Sequence, residues 1–97
     1  MANMLIRHRV EDYGAWKRAF DEFIDTRRER GERSWRIWRT DEDANNLVLL
    51  FSWDSIENAR AFMASPELKA TMENAGVTEP PDVYFMEEVD KGKMATA

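Results

Sequence analysis

Cysteine is absent from this chain of 97 residues, and histidine occurs only once, as His8. The absence of cysteine excludes a disulfide framework, a thiolate nucleophile and every zinc site that uses cysteine ligands. A single histidine also excludes a centre built from several histidines of one chain. We therefore expect no metal site.

Long apolar runs and an excess of basic residues are also missing. No window approaches the roughly 18 apolar residues of a membrane span, and residues 1–9 do not have the pattern of a signal peptide, which predicts a cytoplasmic protein. Nineteen acidic residues against fourteen basic ones give a net charge of -5. This sign is unfavourable for binding phosphate backbones or anionic lipid, so we expect neither a nucleic-acid nor a membrane partner.

The composition is that of one folded domain. Hydrophobic residues make up 43% of the chain and aromatic residues 11%, well above the level of disordered chains. A chain of this length cannot support a second core. We expect a single domain over residues 1–90, followed by a flexible tail over residues 91–97.

The spacing of apolar residues predicts six elements in the order β-α-β-β-α-β. They are a strand Met4–Val10, one helix Tyr13–Arg30, a hairpin of Ser34–Thr40 and Leu47–Trp53, a two-piece helix from Ile56 to Ala75 and a strand Val83–Val89. This order is typical of a ferredoxin-like α+β fold with a four-stranded antiparallel sheet, strand order 4-1-3-2 and both helices on one face. The uncovered face would carry Leu5, Val48, Leu50 and Ser52, and this apolarity predicts a homodimer formed through the sheet faces.

Five segments carry a resemblance to a known family. They are Ile6-Arg7-His8-Arg9-Val10, Asp12-Tyr13-x-x-Trp16, Trp53-Asp54-Ser55, Ala59-Arg60-Ala61-Phe62 and Ser65-Pro66-Glu67-Leu68. In these segments the chain resembles the dimeric α+β-barrel superfamily, and within it the antibiotic biosynthesis monooxygenases and small cyclases. The resemblance covers roughly residues 4–89. It implies a homodimer whose two sheets face each other, with a ligand cavity between sheet and helices in each subunit.

The resemblance also implies roles for single residues. Trp53 matches the tryptophan that family oxygenases carry at the end of the third strand, where it lines the cavity, and His8 lies near the place where haem-degrading relatives have an asparagine. Two departures matter. Cofactor-independent quinone-forming members carry an asparagine four residues before that tryptophan, where this chain has Leu49. Haem-degrading members bind iron through a helix histidine that the second helix here lacks, so haem oxygenation is not expected.

His8 and Tyr13 are the candidate catalytic residues. His8 is the side chain with a pKa near neutrality, and its alternation places it under the helices, where it would serve as a general base. The alternative is a core histidine satisfied by one hydrogen bond. Tyr13 begins the first helix and would stabilise a developing anion, or it would simply lie at the rim.

A set of large apolar side chains would contact a planar ligand between sheet and helices. The candidates for substrate binding are Trp53, Trp16, Phe51, Phe62 and Met72. The alternative is that these residues pack against one another and leave no cavity.

Six arginines lie close together in this acidic chain: Arg27, Arg28, Arg30, Arg33, Arg36 and Arg39. They would attract an anionic substrate, or they would pair with Glu29, Glu32, the turn at residues 41–43, or Glu87 and Glu88 as a solvated or interfacial charge network. We favour the charge network.

Two functions remain open. The first is a cofactor-independent monooxygenase, or a cyclase or isomerase, that acts on a small apolar or aromatic metabolite without metal or organic cofactor. The second is a non-catalytic homodimer that binds a small ligand or responds to stress. A His8 that contacts neither solvent nor a second polar group would favour the second function.

Overall fold

The computed structural model describes residues 2–95. Its strands are β1 (Ala2–Arg9), β2 (Glu32–Arg39), β3 (Asn46–Trp53) and β4 (Asp82–Met86). Its helices are α1 (Tyr13–Glu22), α2 (Ile24–Arg30), α3 (Ile56–Met63) and α4 (Pro66–Asn74). The strands form one antiparallel sheet in the order β2-β3-β1-β4, which confirms the predicted ferredoxin-like α+β fold and strand order.

Strand pairing determines which side chains face the helices. In β1 the residues Met4, Ile6 and His8 are buried, and in β3 the residues Leu47, Leu49, Phe51 and Trp53 are buried. These residues pair across the two strands, Met4 with Phe51 and His8 with Leu47, so they share one face of the sheet. The predicted position of His8 beneath the helices is confirmed.

The first helical segment differs from the single long helix expected from its spacing. Phe23 has ψ near 8°, outside the helical range, although its backbone N–H still donates to the carbonyl oxygen of Ala19 as in an α-helix. Its ring packs 6.0 Å from the ring of Phe62, centre to centre. The helix is therefore interrupted at Phe23, and α2 begins at Ile24.

The last strand is shorter than the predicted Val83–Val89. Met86, its final residue, pairs with Asn3, and β1 begins only one residue earlier, at Ala2. Val89, which the prediction placed in this strand, lies beyond it and is 87% exposed. Residues 87–95 are without helix or strand, while residues 96 and 97 of the predicted tail lie outside the described part of the chain.

The other face of the sheet is uncovered by the protein's own helices. Leu5, Val48 and Leu50 are half-buried there, as the alternation predicts, and Leu5 pairs with Tyr84 on the same face. Tyr84 is 59% exposed and therefore points away from the core. Trp38, which pairs with Val48, is also exposed on this face. No helix among residues 2–95 is long and apolar enough to cross a membrane.

Candidate functional site

A cavity of about 60 Å³ lies between the helix-facing side of the sheet and the four helices. The sequence-predicted ligand contacts Trp16, Phe51, Phe62 and Met72 line it together with His8. The remaining lining residues are mostly apolar: Met4, Ile6, Phe20, Phe23, Leu49, Met63, Leu68, Thr71, Ala75 and the charged pair Arg27 and Glu32. Packing therefore leaves a cavity, and the structure brings five of the seven predicted site residues to it.

His8 lies at one end of this cavity and is 4% exposed. The edge of its ring meets the ring of Trp16, with centres 5.6 Å apart and planes at 79°. Neither Nδ1 nor Nε2 has a hydrogen-bond partner among residues 2–95. Burial lowers the pKa of His8 to about 4, and the charge of Arg7 acts in the same direction. His8 is therefore neutral at pH 7, and both of its nitrogens are available to a bound molecule.

The unpartnered nitrogens bear directly on the structural interpretation of His8. A core histidine is normally satisfied by at least one hydrogen bond, because a buried polar group without a partner costs about 1–3 kcal/mol. The expected hydrogen bond is missing within the described part of the chain. A purely structural role therefore leaves this cost without compensation, whereas a ligand with a hydroxyl group would offset it.

Tyr13 stands beside this end of the cavity but is not among the residues that line it. Its ring centre is 5.9 Å from that of Trp16. The guanidinium of Arg39 lies over the tyrosine ring, 4.6 Å from its centre. Tyr13 therefore packs against a lining residue without lining the cavity itself.

Trp53 is completely buried and also lies outside the lining. Its ring packs against Phe62, with centres 5.2 Å apart, and Phe62 does line the cavity. The indole Nε1 is buried and lacks a hydrogen-bond partner within residues 2–95. Trp53 thus packs against a residue that lines the cavity without lining the cavity itself.

The opposite end of the cavity is formed by a charged pair that sequence reasoning assigned to the surface. Nη1 of Arg27 donates to Oε2 of Glu32 over 2.7 Å, and both side chains are at least 96% buried. Gly31, with φ at 122°, makes the tight turn between α2 and β2 that returns Glu32 to the side of Arg27. The pairing of Arg27 with Glu32 was expected. The prediction of a solvated setting was wrong, because Arg27 lies on the inward side of α2 and Glu32 is buried at the start of β2.

A signal for this burial was present in the sequence. Trp16, Phe20, Phe23 and Arg27 follow one another at spacings of four, three and four residues, so Arg27 continues the apolar stripe of the helix. Its guanidinium lies 3.6 Å from the ring centre of Phe20 and 4.9 Å from that of Trp35. Neighbouring arginines point outward and bind other acids than those expected: Arg28 binds Asp25, Arg30 binds Glu67 and Arg33 binds Asp54.

Burial shifts both members of this pair towards neutrality. It raises the pKa of Glu32 to about 7, although the charge of Arg27 opposes the shift. Burial also lowers the pKa of Arg27, against the charges of Glu32 and Asp21. Arginine remains protonated in proteins, so the pair changes its charge near neutral pH through Glu32.

A column of rings joins the two ends of the cavity. Trp16 contacts His8 on one side and stacks on Phe20 on the other, with ring centres 5.0 Å apart. Phe20 in turn carries the guanidinium of Arg27. An aromatic or apolar ligand lying along this column would have an imidazole at one end and an ion pair at the other.

A surface groove at α4 adjoins the cavity. This helix, all of whose residues are described, contains no buried residue, and the groove, of about 760 Å³, runs along it to residues 77–81. Met63, Leu68 and Met72 line both the groove and the cavity. Ligand pockets usually measure about 300–1,000 Å³, so a ligand larger than a few atoms requires these side chains or α4 to shift. Methionine is suited to this role because its side chain is long and flexible.

Metal-binding groups are not assembled in this region. Within residues 2–95, no three histidine, cysteine, aspartate or glutamate side chains come together as potential metal ligands. Polar atoms at the cavity belong to His8, Arg27, Glu32 and Thr71.

The sequence profile of the antibiotic biosynthesis monooxygenases matches residues 1–74. No curated protein sequence matches the chain at a significant level.

Solved structures share the fold at low sequence identity. SnoaB, a cofactor-independent oxygenase from Streptomyces nogalater, superposes with a TM-score of 0.67 at 14% identity, over 91% of this chain and 94% of that chain. A Bordetella bronchiseptica protein that bears the name antibiotic biosynthesis monooxygenase superposes with a TM-score of 0.74 at 17% identity, over 91% and 96% of the two chains. A conserved protein from Methanosarcina mazei gives 0.69 at 11% identity, over 90% and 91%. At these identities the likeness concerns the fold.

Proposed function

Because the chain belongs to the antibiotic biosynthesis monooxygenase family, we propose that it is a cofactor-independent oxygenase of a small apolar or aromatic molecule. The molecule would bind in the cavity between sheet and helices. The observation that carries this proposal is the position of His8, a candidate base that lines the otherwise apolar cavity of a chain of this family. A cyclase or isomerase would use the same base without oxygen.

In the proposed reaction His8 acts as the general base. A neutral imidazole accepts a proton from an acidic C–H of the bound molecule, and the electron pair stays on the resulting carbanion, which conjugation with the aromatic system stabilises. Molecular oxygen adds to this carbanion, and the peroxide takes the proton back from the imidazolium. Loss of water from the hydroperoxide then leaves a carbonyl group. Burial favours the neutral form of His8 before the reaction, because it disfavours the charged imidazolium.

Other residues are proposed to position the ligand. Trp16, Phe51, Phe62 and Met72 would contact its apolar body, since all four line the cavity. Trp53 would act through Phe62, against which its ring is packed, instead of touching the ligand. The stabilisation of an anion by Tyr13 would require the ligand to extend beyond the residues that line the cavity.

We also propose that the protein is a homodimer formed through the open face of its sheet. Exposed Trp38 and Tyr84 stand on this face beside the half-buried Leu5, Val48 and Leu50. Burying these aromatic and aliphatic groups against a second copy would remove apolar surface from water. Replacing Val48 and Leu50 by Glu should therefore give a monomer or an unfolded chain in light scattering.

Oxygen uptake in the presence of phenols, naphthols and their partially reduced ketone forms tests the proposal. Wild-type protein should accelerate oxygen consumption by a member of this panel, and His8→Asn should reduce the rate by about 10²–10⁴-fold, because it removes the base and keeps a polar side chain. Circular dichroism of the variant controls for folding. Full turnover in His8→Asn with an unshifted pH profile would contradict the role of His8.

A non-catalytic ligand-binding protein is the second candidate. The observation that favours it is that His8 has no polar partner within residues 2–95 to orient its ring or share the proton. Catalytic bases are commonly oriented by such a group. Binding of the same molecules without oxygen consumption or isomerisation would select this function.

A further inference from the structure

The Arg27–Glu32 pair offers more hydrogen bonds than the protein uses. Only Nη1 of Arg27 and Oε2 of Glu32 join in the 2.7 Å bond. Nε and Nη2 of Arg27 and Oε1 of Glu32 are buried and have no partner among residues 2–95. A buried ion pair that is incompletely hydrogen-bonded is a poor source of stability, because desolvation offsets the attraction between the charges.

The free atoms define a particular chemistry. A guanidinium is planar, and its Nε–H and Nη2–H groups lie side by side along one edge. Two parallel donors of this kind match the two oxygens of a carboxylate. Free donors also outnumber the single free acceptor, so the complementary group is one that mainly accepts hydrogen bonds.

We propose that this end of the cavity binds the carboxylate of a monocarboxylic acid with an aromatic or apolar body. The inference rests on the proposed function, because it places the body of the ligand in the same cavity. The carboxylate would bind Nε and Nη2 of Arg27, while the body would lie along Phe20 and Trp16 towards His8. The acid would thereby be oriented along the rings, with its far end directed towards the imidazole.

Stacking on aromatic rings makes Arg27 suitable for this task. Phe20 and Trp35 both contact its guanidinium, so the plane of the donors is fixed before a ligand arrives. Neighbouring Arg28 makes a useful comparison, since it is 65% exposed and bound to Asp25 at the surface. Of these two adjacent arginines, Arg27 is the one that lines the cavity.

The carboxylate of Glu32 disfavours the binding of an anionic ligand at this site. This carboxylate would lie close to that of the ligand, and like charges repel. Glu32→Gln keeps the shape of the side chain and an oxygen that can accept from Arg27 but removes the charge. This variant should therefore bind a carboxylate more tightly than the wild type does.

Calorimetry with 3-phenylpropanoate and its uncharged amide, 3-phenylpropanamide, tests the proposal without any need for turnover. Wild-type protein should bind the acid at least about tenfold more tightly than the amide, as a bidentate charge-assisted contact is stronger than a neutral one. Glu32→Gln should increase this preference. The double variant Arg27→Met with Glu32→Gln removes both charges together and should abolish it, while Arg28→Met should retain it.

Each outcome decides between the two proposals. Equal binding of acid and amide by the wild type, or a preference that persists in the double variant, would overturn the carboxylate site and leave binding in the cavity intact. Failure of both compounds to bind at millimolar concentration would overturn the carboxylate site together with the assignment of the cavity as a ligand site. Carboxylate binding without oxygen consumption would support the inference while contradicting the oxygenase function.

Discussion

The two ends of the cavity bury polar side chains in two different states. His8 is a single group that burial keeps neutral, whereas Arg27 and Glu32 are two groups whose charges compensate each other. Their strand positions are far apart, since His8 pairs with Leu47 at the start of β3 and Glu32 pairs near its end. The two partner positions, Leu47 and Trp53, are six residues apart, or about 20 Å of strand.

This difference shows how one small cavity can carry two kinds of polar group. At each end some nitrogen or oxygen atoms remain without a partner in residues 2–95. The apolar rings between them keep the two groups apart. A ligand that bridges the column would satisfy both ends at once, and each end can be altered without touching the other.

Breaking the ion pair should have the largest effect on stability. Arg27→Met leaves the carboxylate of Glu32 buried without a partner, and we expect the free energy of unfolding to fall by about 3–5 kcal/mol. Combining it with Glu32→Gln should recover most of this loss, because no uncompensated charge remains. Urea denaturation measures both values. Arg28→Met, a surface control on the same helix, should change stability by less than about 0.5 kcal/mol.

If the double variant were as unstable as Arg27→Met, the loss would come from packing on Phe20 and Trp35 and not from an unpaired charge. Charge compensation would then not be what stabilises Arg27 and Glu32 at their end of the cavity.

The two ends should respond to pH with opposite sign. The folded pKa of His8, about 4, lies below its ordinary value of 6.5, so between these values the unfolded chain binds a proton that the folded chain excludes. Stability should therefore fall by up to about 3 kcal/mol as the pH drops from 6.5 to 4. The folded pKa of Glu32, about 7, lies above its ordinary 4.5, so between these values the folded chain binds a proton that the unfolded chain releases. Stability should therefore fall through Glu32 as the pH rises from 4.5 to 7.

These contributions oppose each other between pH 4.5 and 6.5, and single variants separate them. Glu32→Gln should leave the His8 effect, so that stability rises with pH in this window. His8→Asn should leave the Glu32 effect, so that stability falls with pH. Thermal unfolding of the two variants at pH 5 and pH 6.5 measures both slopes, and slopes of the same sign would contradict the assignment.

The ring column offers a smaller test. Phe20→Leu keeps an apolar side chain but removes the faces that contact Trp16 and Arg27. Loss of these contacts should cost about 1–2 kcal/mol of stability. It should also weaken the binding of 3-phenylpropanoate more than Phe23→Leu does, since Phe23 lies outside the column. Equal effects of the two variants would argue against a role for the column in binding.

Much of this arrangement could be predicted from the alternation of apolar residues. Period-two burial in β1 and β3 identified the helix-facing side and placed His8 on it, and the element order fixed the sheet. Helical spacing likewise brought Trp16, Phe62 and Met72 to the cavity. These features depend on local patterns that each element repeats.

Features that depend on a single turn or pairing were missed. The spacing of apolar residues does not show the interruption at Phe23, and the charge of Arg27 suggested the surface although its side chain is buried. The end of β4 at Met86 depends on pairing with β1, which no pattern within β4 reveals. Trp53 occupies the expected strand position, but it packs against Phe62 without lining the cavity, and this arrangement depends on packing between elements.

Nuclear magnetic resonance of the single histidine shows whether His8 faces a ligand cavity, because one imidazole gives an unambiguous signal. We expect a pKa of about 4 for His8 in the free protein. We also expect a shift of its ring nitrogen resonances when an aromatic ligand with a hydroxyl group is added, as the unpartnered nitrogens gain a hydrogen bond. A pKa near 6.5 together with nitrogen resonances that no such ligand moves would contradict the claim that His8 faces a ligand cavity.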